Sequence, residues 1–416
     1  MRRIGIIGGG AAGMTAAYFA AEQPGTEVHL FEKNEKLGKK IFITGKGRCN
    51  FTNSCDPEEL RSAVITNSRF LYSAFSAFDN RRAIALFEEL GVKVKEERGG
   101  RMFPLSDHSS DIIRALERGL KARGVLVHLQ TSVKKLLTEA AEDGENRIRG
   151  MLLADGTSFL CDRVIVATGG ISYPSTGSTG DGYRFAEATG HRLKERYPAL
   201  VPLETEETYV TDLQGLSLKN VTLTIPYGKK KKYQGFGEMM FTHFGVTGPL
   251  VLSASSCLTA LLQEQKLQAF IDLKPALTEE KLDARILREF EAAKNKKAGN
   301  VIAGLFPAKL LSVMLQLSGI DGDLPVHEIR REERQRLVRM TKAFPFTVTG
   351  TRDFREAIIT QGGVHVGDIR PGTMESRKVA GLYFAGEVLD LDAVTGGYNL
   401  QIAWSTGYLA GTSAAG

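Results

Sequence analysis

RIGIIGGGAAG, residues 3–13, is the stretch whose reading decides the fold. An apolar run from Arg3 to Ile7 meets three glycines and then a helix-forming segment over roughly 11–22. Val28-His29-Leu30-Phe31 is a second apolar run and ends at Glu32. The order is strand, glycine turn, helix, strand, acid. Gly8, Gly10 and Gly13 stand in G-x-G-x-x-G spacing, and Glu32 follows Gly13 by 19 residues. Gly8 permits the tight turn, Gly10 removes a side chain where a pyrophosphate would approach, and Gly13 lets helix and strand pack closely. The helix N-terminus at Ala11 and Ala12 offers unpaired N–H groups to phosphate oxygens. Glu32 can accept both hydroxyls of a ribose. A bare glycine motif would say little, but this context marks a dinucleotide-binding unit.

Working outward, 81–90 and 109–123 read as amphipathic helices, Val125–Leu129 as a strand followed by Val133, and 147–154 with 157–160 as a hairpin around Asp155-Gly156. Arg163 to Gly170 is a buried strand running into glycines. From about 195 short alternations of Thr, Val, Leu and Tyr suggest β structure, and from 257 the spacing turns helical over 279–294, 307–317 and 328–341. After 345 the earlier style returns: 379–387 is a strand ending in Gly386-Glu387, and Gly396-Gly397-Tyr398-Asn399-Leu400-Gln401 opens a last helix. The expected organisation is one discontinuous α/β domain, 1–194 with 346–416, interrupted by a β-rich insert, 195–256, and a helical subdomain, 257–345.

Composition sets the remaining bounds. A chain of 416 residues with 42% hydrophobic and 25% charged residues is ordinary for two or three globular domains. No run of about 18 uncharged apolar residues is present, so no membrane span is expected. Cys49, Cys55, Cys161 and Cys257 show neither C-x-x-C nor metal-ligand spacing, the pattern of reduced thiols in a cytoplasmic protein. Net charge is +6, and residues 196–345 hold 21 basic against 17 acidic residues. Lys229–Lys232 and Arg330–Lys342 dominate that excess. It is either a solvated face or an RNA-facing surface. No RNA-recognition motif is visible, and DNA is not an expected partner.

The strand V-I-V-A-T-G-G at 164–170 and the strand G-L-Y-F-A-G-E at 381–387 resemble the second and third fingerprints of two-dinucleotide-fold flavoproteins. Glu387 stands where Asp is commoner in that group. The match extends through GKGRCNFTN (45–53), FTHFGVTGP (241–249) and GLYFAGEVLDLDAVTGGYNLQIAWSTG (381–407). With the order of segments, these resemble the bacterial YhiN/BaiN-like flavoprotein family over essentially the whole chain. Lys46 departs from the family loop, where glycine is common. The resemblance implies an α/β fold with a Rossmann-like FAD-binding domain, FAD held non-covalently, and an inserted domain covering the flavin. It also implies reduction of an activated C=C bond, in a small enone-like molecule or in a uracil ring of ribosomal RNA. Hydride would pass from the flavin to the β-carbon, and a protein acid would protonate the α-carbon.

On this reading the FAD site comprises Gly8, Gly10, Ala11, Ala12, Gly13, Glu32, Lys33, Lys40, Val133, Ala167, Thr168, Gly169, Gly386 and Glu387. The loop after Glu32 adds Gly45, Gly47, Arg48, Cys49 and Asn50, its glycines letting the backbone approach the flavin and Arg48 supplying a permanent cation. Gly397, Tyr398, Asn399 and Leu400 open a helix whose free N–H groups could stabilise charge on the reduced flavin. Lys33, Lys39 and Lys40 lie near enough in sequence to meet phosphates. His243, flanked by Phe241 and Phe244 in a glycine-bounded loop, is either a satisfied core residue or a proton donor. Cys49 is either inert and buried or a rival donor, and an active thiolate would need a pKa lowered by Arg48. Tyr173 either packs or lines the flavin edge. Asp181 is expected to cap the following helix. No second G-x-G-x-x-G appears, so NAD(P)H would dock transiently as electron donor, or another reductant serves. The rival functions are a flavin oxidase of small amines and an RNA-binding protein with structural FAD.

Overall fold

Strand β1 (Arg2–Ile7) pairs in parallel with β2 (Thr26–Phe31), in unbroken register from Arg2↔Thr26 to Ile7↔Phe31. This is a computed structural model, and it describes residues 1–140, 146–228 and 230–416. The crossover between the two strands is helix α1 (Ala11–Ala20). Strands β3 (Leu126–His128), β4 (Arg163–Val166) and β5 (Leu382–Phe384) complete a five-stranded sheet in the order β5-β4-β1-β2-β3. All four pairings are parallel. Its strands are near-continuous apolar runs because both faces are covered.

One face carries α1 and the last helix, α4 (Tyr398–Ala415), which touch backbone to backbone. A Cβ on Gly407 would lie 2.5 Å from the Ala12 carbonyl oxygen, and one on Gly411 2.3 Å from that of Ala16. The other face carries the four-stranded sheet that includes Asn146–Leu153. There Gly5 leaves room for Met151, whose Cε would lie 2.3 Å from a Cβ at that position. Trp404 is fully buried and donates from Nε1 to the Phe51 carbonyl at 2.8 Å.

The chain divides into two compact units, Met1–Ala199 with Phe354–Gly416, and Leu200–Asp353. The second unit holds a closed six-stranded barrel formed by Leu203–Thr205, Gly245–Thr247, Lys230–Phe241, Ser217–Tyr227, Leu267–Asp272 and Phe344–Thr351. Of those strands Leu267–Asp272 lies inside the expected helical segment 257–345 and Phe344–Thr351 runs across its end into the segment expected to start the last part of the FAD-binding domain, and one hydrophobic core joins barrel and helices. The separate β-rich and helical pieces therefore form one unit. The barrel cannot close without the late strands, and its fully buried Phe241, Ile271, Phe344 and Phe346 share that core with Leu258 of the helix Pro249–Leu262. Lys229 lies outside the described residues, as do the side chains of Lys230 and Lys231; Lys232 is exposed.

Two local expectations differ as well. The strand expected over 379–387 is interrupted at Gly381, whose φ of +77° breaks it into Val379–Ala380 and β5, and Gly386–Val388 is a 3-10 turn. Helix α3 (Asp181–Ala188) has Gly180 at its N-cap with no side-chain cap. Asp181 is its first residue and bonds Lys33 instead.

Candidate functional site

The carboxyl ends of β1, β2, β4 and β5 open onto one cleft, the usual ligand position in a parallel sheet. The cleft lies within the unit Met1–Ala199 with Phe354–Gly416 and encloses about 1340 Å³, its open mouth included. Its floor is the glycine turn. Gly8 has φ +105°, and a Cβ there would meet the Ala167 carbonyl oxygen at 2.5 Å. A Cβ on Gly10 would meet nothing within 4 Å, so that position is open space facing the cleft. No side chain caps α1, which leaves its first N–H groups for an anion.

Glu32 is only 8% exposed. Its Oε2 accepts from Gly9 N at 2.7 Å, and its Oε1 accepts from Asn34 N at 2.8 Å and Asn34 Nδ2 at 2.7 Å. A carboxylate has about four acceptor sites. Glu32 is thus held rigidly with room for about one further donor, short of the two ribose hydroxyls expected of it.

The three cleft lysines all have carboxylate partners. Lys33 bonds Asp181 at 2.8 Å, Lys39 bonds Glu35 at 3.2 Å, and Lys40 bonds Glu387 at 2.7 Å. Lys40 also donates to Ser172 Oγ at 2.6 Å. Glu387 accepts from Ser172 Oγ at 2.8 Å and from Thr360 N at 2.9 Å, so with Lys40 the protein fills three of its about four acceptor sites. At the far end Asn399 and Leu400 line the cleft, and Asn399 Nδ2 donates to the Ala393 carbonyl at 2.8 Å.

Of the expected FAD residues, Gly8, Gly10, Ala11, Ala12, Glu32, Lys33, Lys40, Val133, Ala167, Thr168, Gly169, Gly386, Glu387, Asn399 and Leu400 all line this cleft. Gly13 sits behind it, where a Cβ would lie 1.8 Å from the Gly8 carbonyl oxygen. Gly397 backs onto Thr52, and Tyr398 is buried beside Cys55 and Glu59, its phenol pushed up chiefly by burial. Tyr173 is held by its N–H to the Phe354 carbonyl at 2.9 Å, outside the lining.

The loop Gly45 to Asn50 does not line the cleft either. Gly45, Lys46, Gly47 and Cys49 all take positive φ, between 59° and 86°. Arg48 turns to Glu97 and to Asp107, the latter at 2.6 Å, and lies 4.3 Å over the Phe103 ring. Cys49 is fully buried, and burial pushes its thiol up to about 12. Arg48 has not produced the lowered thiol that a reactive thiolate requires. His243 is exposed in the turn between two barrel strands, edge-on to Phe244 at 5.0 Å, and belongs to the unit Leu200–Asp353.

Sequence reading missed Gly9, Asn34, Thr131, Ser132, Thr176, Gly177 and Ser178. Asn34 carried a usable signal, since it stands two residues past the ribose acid. The strap 176–178 carried none, because it reaches the cleft only through tertiary contacts such as Asn34 Nδ2 to the Thr176 carbonyl at 3.0 Å. The residues present fit a dinucleotide. The uncapped α1, the open face at Gly10, the acid at Glu32 and a buried, unpartnered Thr168 Oγ1 in the wall together form the cradle.

The family described as HI0933-like protein Rossmann domain matches residues 2–413. The chain belongs to this family. Over its full length this HI0933-like chain is 35% identical to the 3-dehydro-bile acid delta(4,6)-reductase of Clostridium scindens, covering 99% of that protein. Over 97% of its length it is 34% identical to the ribosomal RNA dihydrouridine synthase of Haemophilus influenzae, covering 96% of it. Among solved structures, 3-ketosteroid delta1-dehydrogenase from Sterolibacterium denitrificans aligns over 100% of both chains with a TM-score of 0.55 and 14% identity, a likeness of fold. The HI0933-like chain is a flavoprotein of the oxidoreductase class with a Rossmann-type FAD-binding domain. Among its described residues no single helix is long and apolar enough to cross a membrane.

Proposed function

We propose that this flavoprotein reduces a carbon–carbon double bond conjugated to a carbonyl, with NAD(P)H as electron donor and a small enone-like molecule as acceptor. The observation that carries the reading is the 35% identity, end to end, with a relative named as a delta(4,6)-reductase of a 3-dehydro-bile acid. The cleft supports it. The α1 N-terminus would hold the pyrophosphate, Glu32 and Asn34 the adenosine ribose, and the N-terminus of α4 at Asn399 and Leu400 the electron-accepting edge of the ring. Bound FAD would supply the hydride for the β-carbon. The chain supplies a proton for the α-carbon, so that one C=C bond becomes two C–H bonds as NAD(P)H is oxidised. His243 is the proposed donor, because its imidazole is exposed to solvent, whereas the Cys49 thiol is sealed from water.

The test is anaerobic. FAD-loaded protein reduced with NADH or NADPH is mixed with a 4-en-3-one or 4,6-dien-3-one steroid, and flavin reoxidation is followed with the product's mass. Stoichiometric reoxidation and a product two hydrogens heavier are expected; no reoxidation by any conjugated carbonyl ends the reading. His243→Ala should slow this half-reaction by about 10²–10⁴-fold and leave reduction by NAD(P)H unchanged, with Cys49→Ala costing far less. The opposite ranking would assign the proton to the thiol.

A second reading, reduction of uridine in ribosomal RNA, rests on the 34% identity with the named dihydrouridine synthase. Three of the six basic side chains in Arg330–Lys342 have structural partners. Arg334 bonds Asp283 at 2.7 Å, Lys342 bonds Asp272 at 2.6 Å, and Arg336 bonds the Ser318 carbonyl at 2.8 Å. Mass spectrometry of ribosomal RNA from a strain lacking the gene separates the readings. Loss of a uridine two hydrogens heavier than normal selects RNA.

A further inference from the structure

Four segments of the cleft wall meet at the Glu387 carboxylate. It takes Lys40 Nζ from helix α2 (Lys39–Ile43), Ser172 Oγ from the loop after β4, and Thr360 N from the strand Ile359–Gln361, while Glu387 itself lies in the 3-10 turn Gly386–Val388 after β5. Lys40 and Ser172 are joined directly as well, closing a triangle with every side at 2.8 Å or less. Residues from each of these elements line the cleft. The pair is three-quarters or more buried, with side-chain exposures of 24% and 20%. Such a pair forfeits hydration and is a poor source of net stability. Lys33 pairs with Asp181, the first residue of α3, and Lys39 with Glu35, four residues before it; the acid of Lys40 comes from 347 residues along the chain and is shared with Ser172 and Thr360.

We propose that Glu387 is a positioning residue that fixes the Lys40 ammonium in the cleft wall, and that this held charge sets the reduction potential of the bound flavin. The proposal rests on the FAD reading. Two-electron reduction adds negative charge to the ring system, so a fixed cation in a water-poor wall favours the reduced form. Glu387 restrains that effect by neutralising part of the charge. Removing the lysine and removing the acid must then act in opposite directions. A merely structural clasp would move both the same way or neither.

The experiment is a spectroelectrochemical titration of FAD-loaded wild type, Lys40→Met, Lys40→Arg and Glu387→Gln against a reference dye. Lys40→Met is expected to lower the reduced-to-oxidised ratio at fixed potential by about tenfold, a shift of about 30 mV for a two-electron couple. Glu387→Gln, which keeps the side-chain shape and frees the ammonium, should raise the ratio by a similar factor, and Lys40→Arg should stay near wild type. Shifts of the same sign in Lys40→Met and Glu387→Gln, or no shift in either, overturn the proposal. So does a folded Lys40→Met protein that cannot hold FAD, which would make the lysine a cofactor anchor. If Lys40→Met does not fold, Glu387→Gln carries the test alone and must shift upward. A wild-type protein that binds no FAD would sink the cofactor reading itself, a different failure from unchanged potentials in loaded variants.

Discussion

At the scale of single residues, Glu32 and Lys46 show how one sequence signal serves two ends. Glu32 was legible because strand, turn and acid are local in sequence and fixed by backbone geometry. Its carboxylate also holds Gly9 N and so shapes the phosphate turn. Glu32→Ala should therefore loosen FAD by more than one lost ribose contact, about 1.5–3 kcal/mol for each charge-assisted bond. Ultrafiltration followed by flavin absorbance measures it; retention equal to wild type would remove Glu32 from the site. Lys46 belongs to the loop that looked as if it were wrapped around a flavin. Glycines spaced for ligand approach and glycines spaced for left-handed backbone read alike, and the partners of Arg48 lie 49 and 59 residues away, where no local pattern points. Lys46 is exposed at φ +59°, a conformation that costs a residue with a Cβ roughly 1–2 kcal/mol. Glycine there regains part of that cost, less the extra entropy of the unfolded chain. Lys46→Gly should raise stability to urea by up to about 1 kcal/mol. A loss of stability would mean that the lysine makes a contact worth more than the strain.

Among the elements, the decisive contact is α1 against α4. Gly407 and Gly411 stand four apart on one face of α4 and meet the carbonyls of Ala12 and Ala16. That spacing is present in the sequence as small residues at i and i+4, yet it identifies no partner helix, so it was not read. Its consequence is functional. Ala12 belongs to the first turn of α1, which faces the cleft, so pushing the helices apart tilts the phosphate-binding terminus. Gly407→Ala places a Cβ 2.5 Å from a backbone oxygen that cannot rotate away. The cost expected is about 1–3 kcal/mol, as for overpacking a core, together with faster FAD release. Thermal unfolding and stopped-flow release onto a flavin-binding trap measure the two. Destabilisation without faster release would uncouple the helix contact from the site. The barrel teaches the complementary lesson. Its strand Leu267–Asp272 is only 6 residues long between the helices Pro249–Leu262 and Glu279–Ala292, and Phe344–Thr351 follows directly on the helix Arg331–Lys342, so periodicity reads their neighbourhood as helical.

For the molecule as a whole, pH tests which buried groups carry charge. Asp392 is fully buried; its Oδ2 accepts from Gln361 Nε2 at 3.1 Å, and its Oδ1 has no hydrogen-bond partner. Burial raises its pKa to about 6, Asp390 adds to the rise, and Thr66 and Gln361 oppose it. His191 is also buried, between Ser376 at 2.7 Å and Thr189 at 2.9 Å, and burial lowers its pKa. The two act with opposite sign. Below about pH 6.5 the unfolded chain binds a proton at His191 that the folded chain resists, so this term removes stability as pH falls. Between about pH 6 and 4 the folded chain binds a proton at Asp392 that the unfolded chain releases, so this term adds stability as pH falls. Above pH 6 the folded state bears the cost of a buried carboxylate, on the order of 1–3 kcal/mol for a shift of this size. Asp392→Asn removes that cost without changing the shape of the side chain. The variant should be more stable than wild type by that amount at pH 7–8, and the difference should shrink toward zero as pH falls through 6 to 4. Urea unfolding of the FAD-saturated proteins at each pH measures it. A gap that does not vary with pH would show that Asp392 keeps the same charge in the folded and unfolded chains.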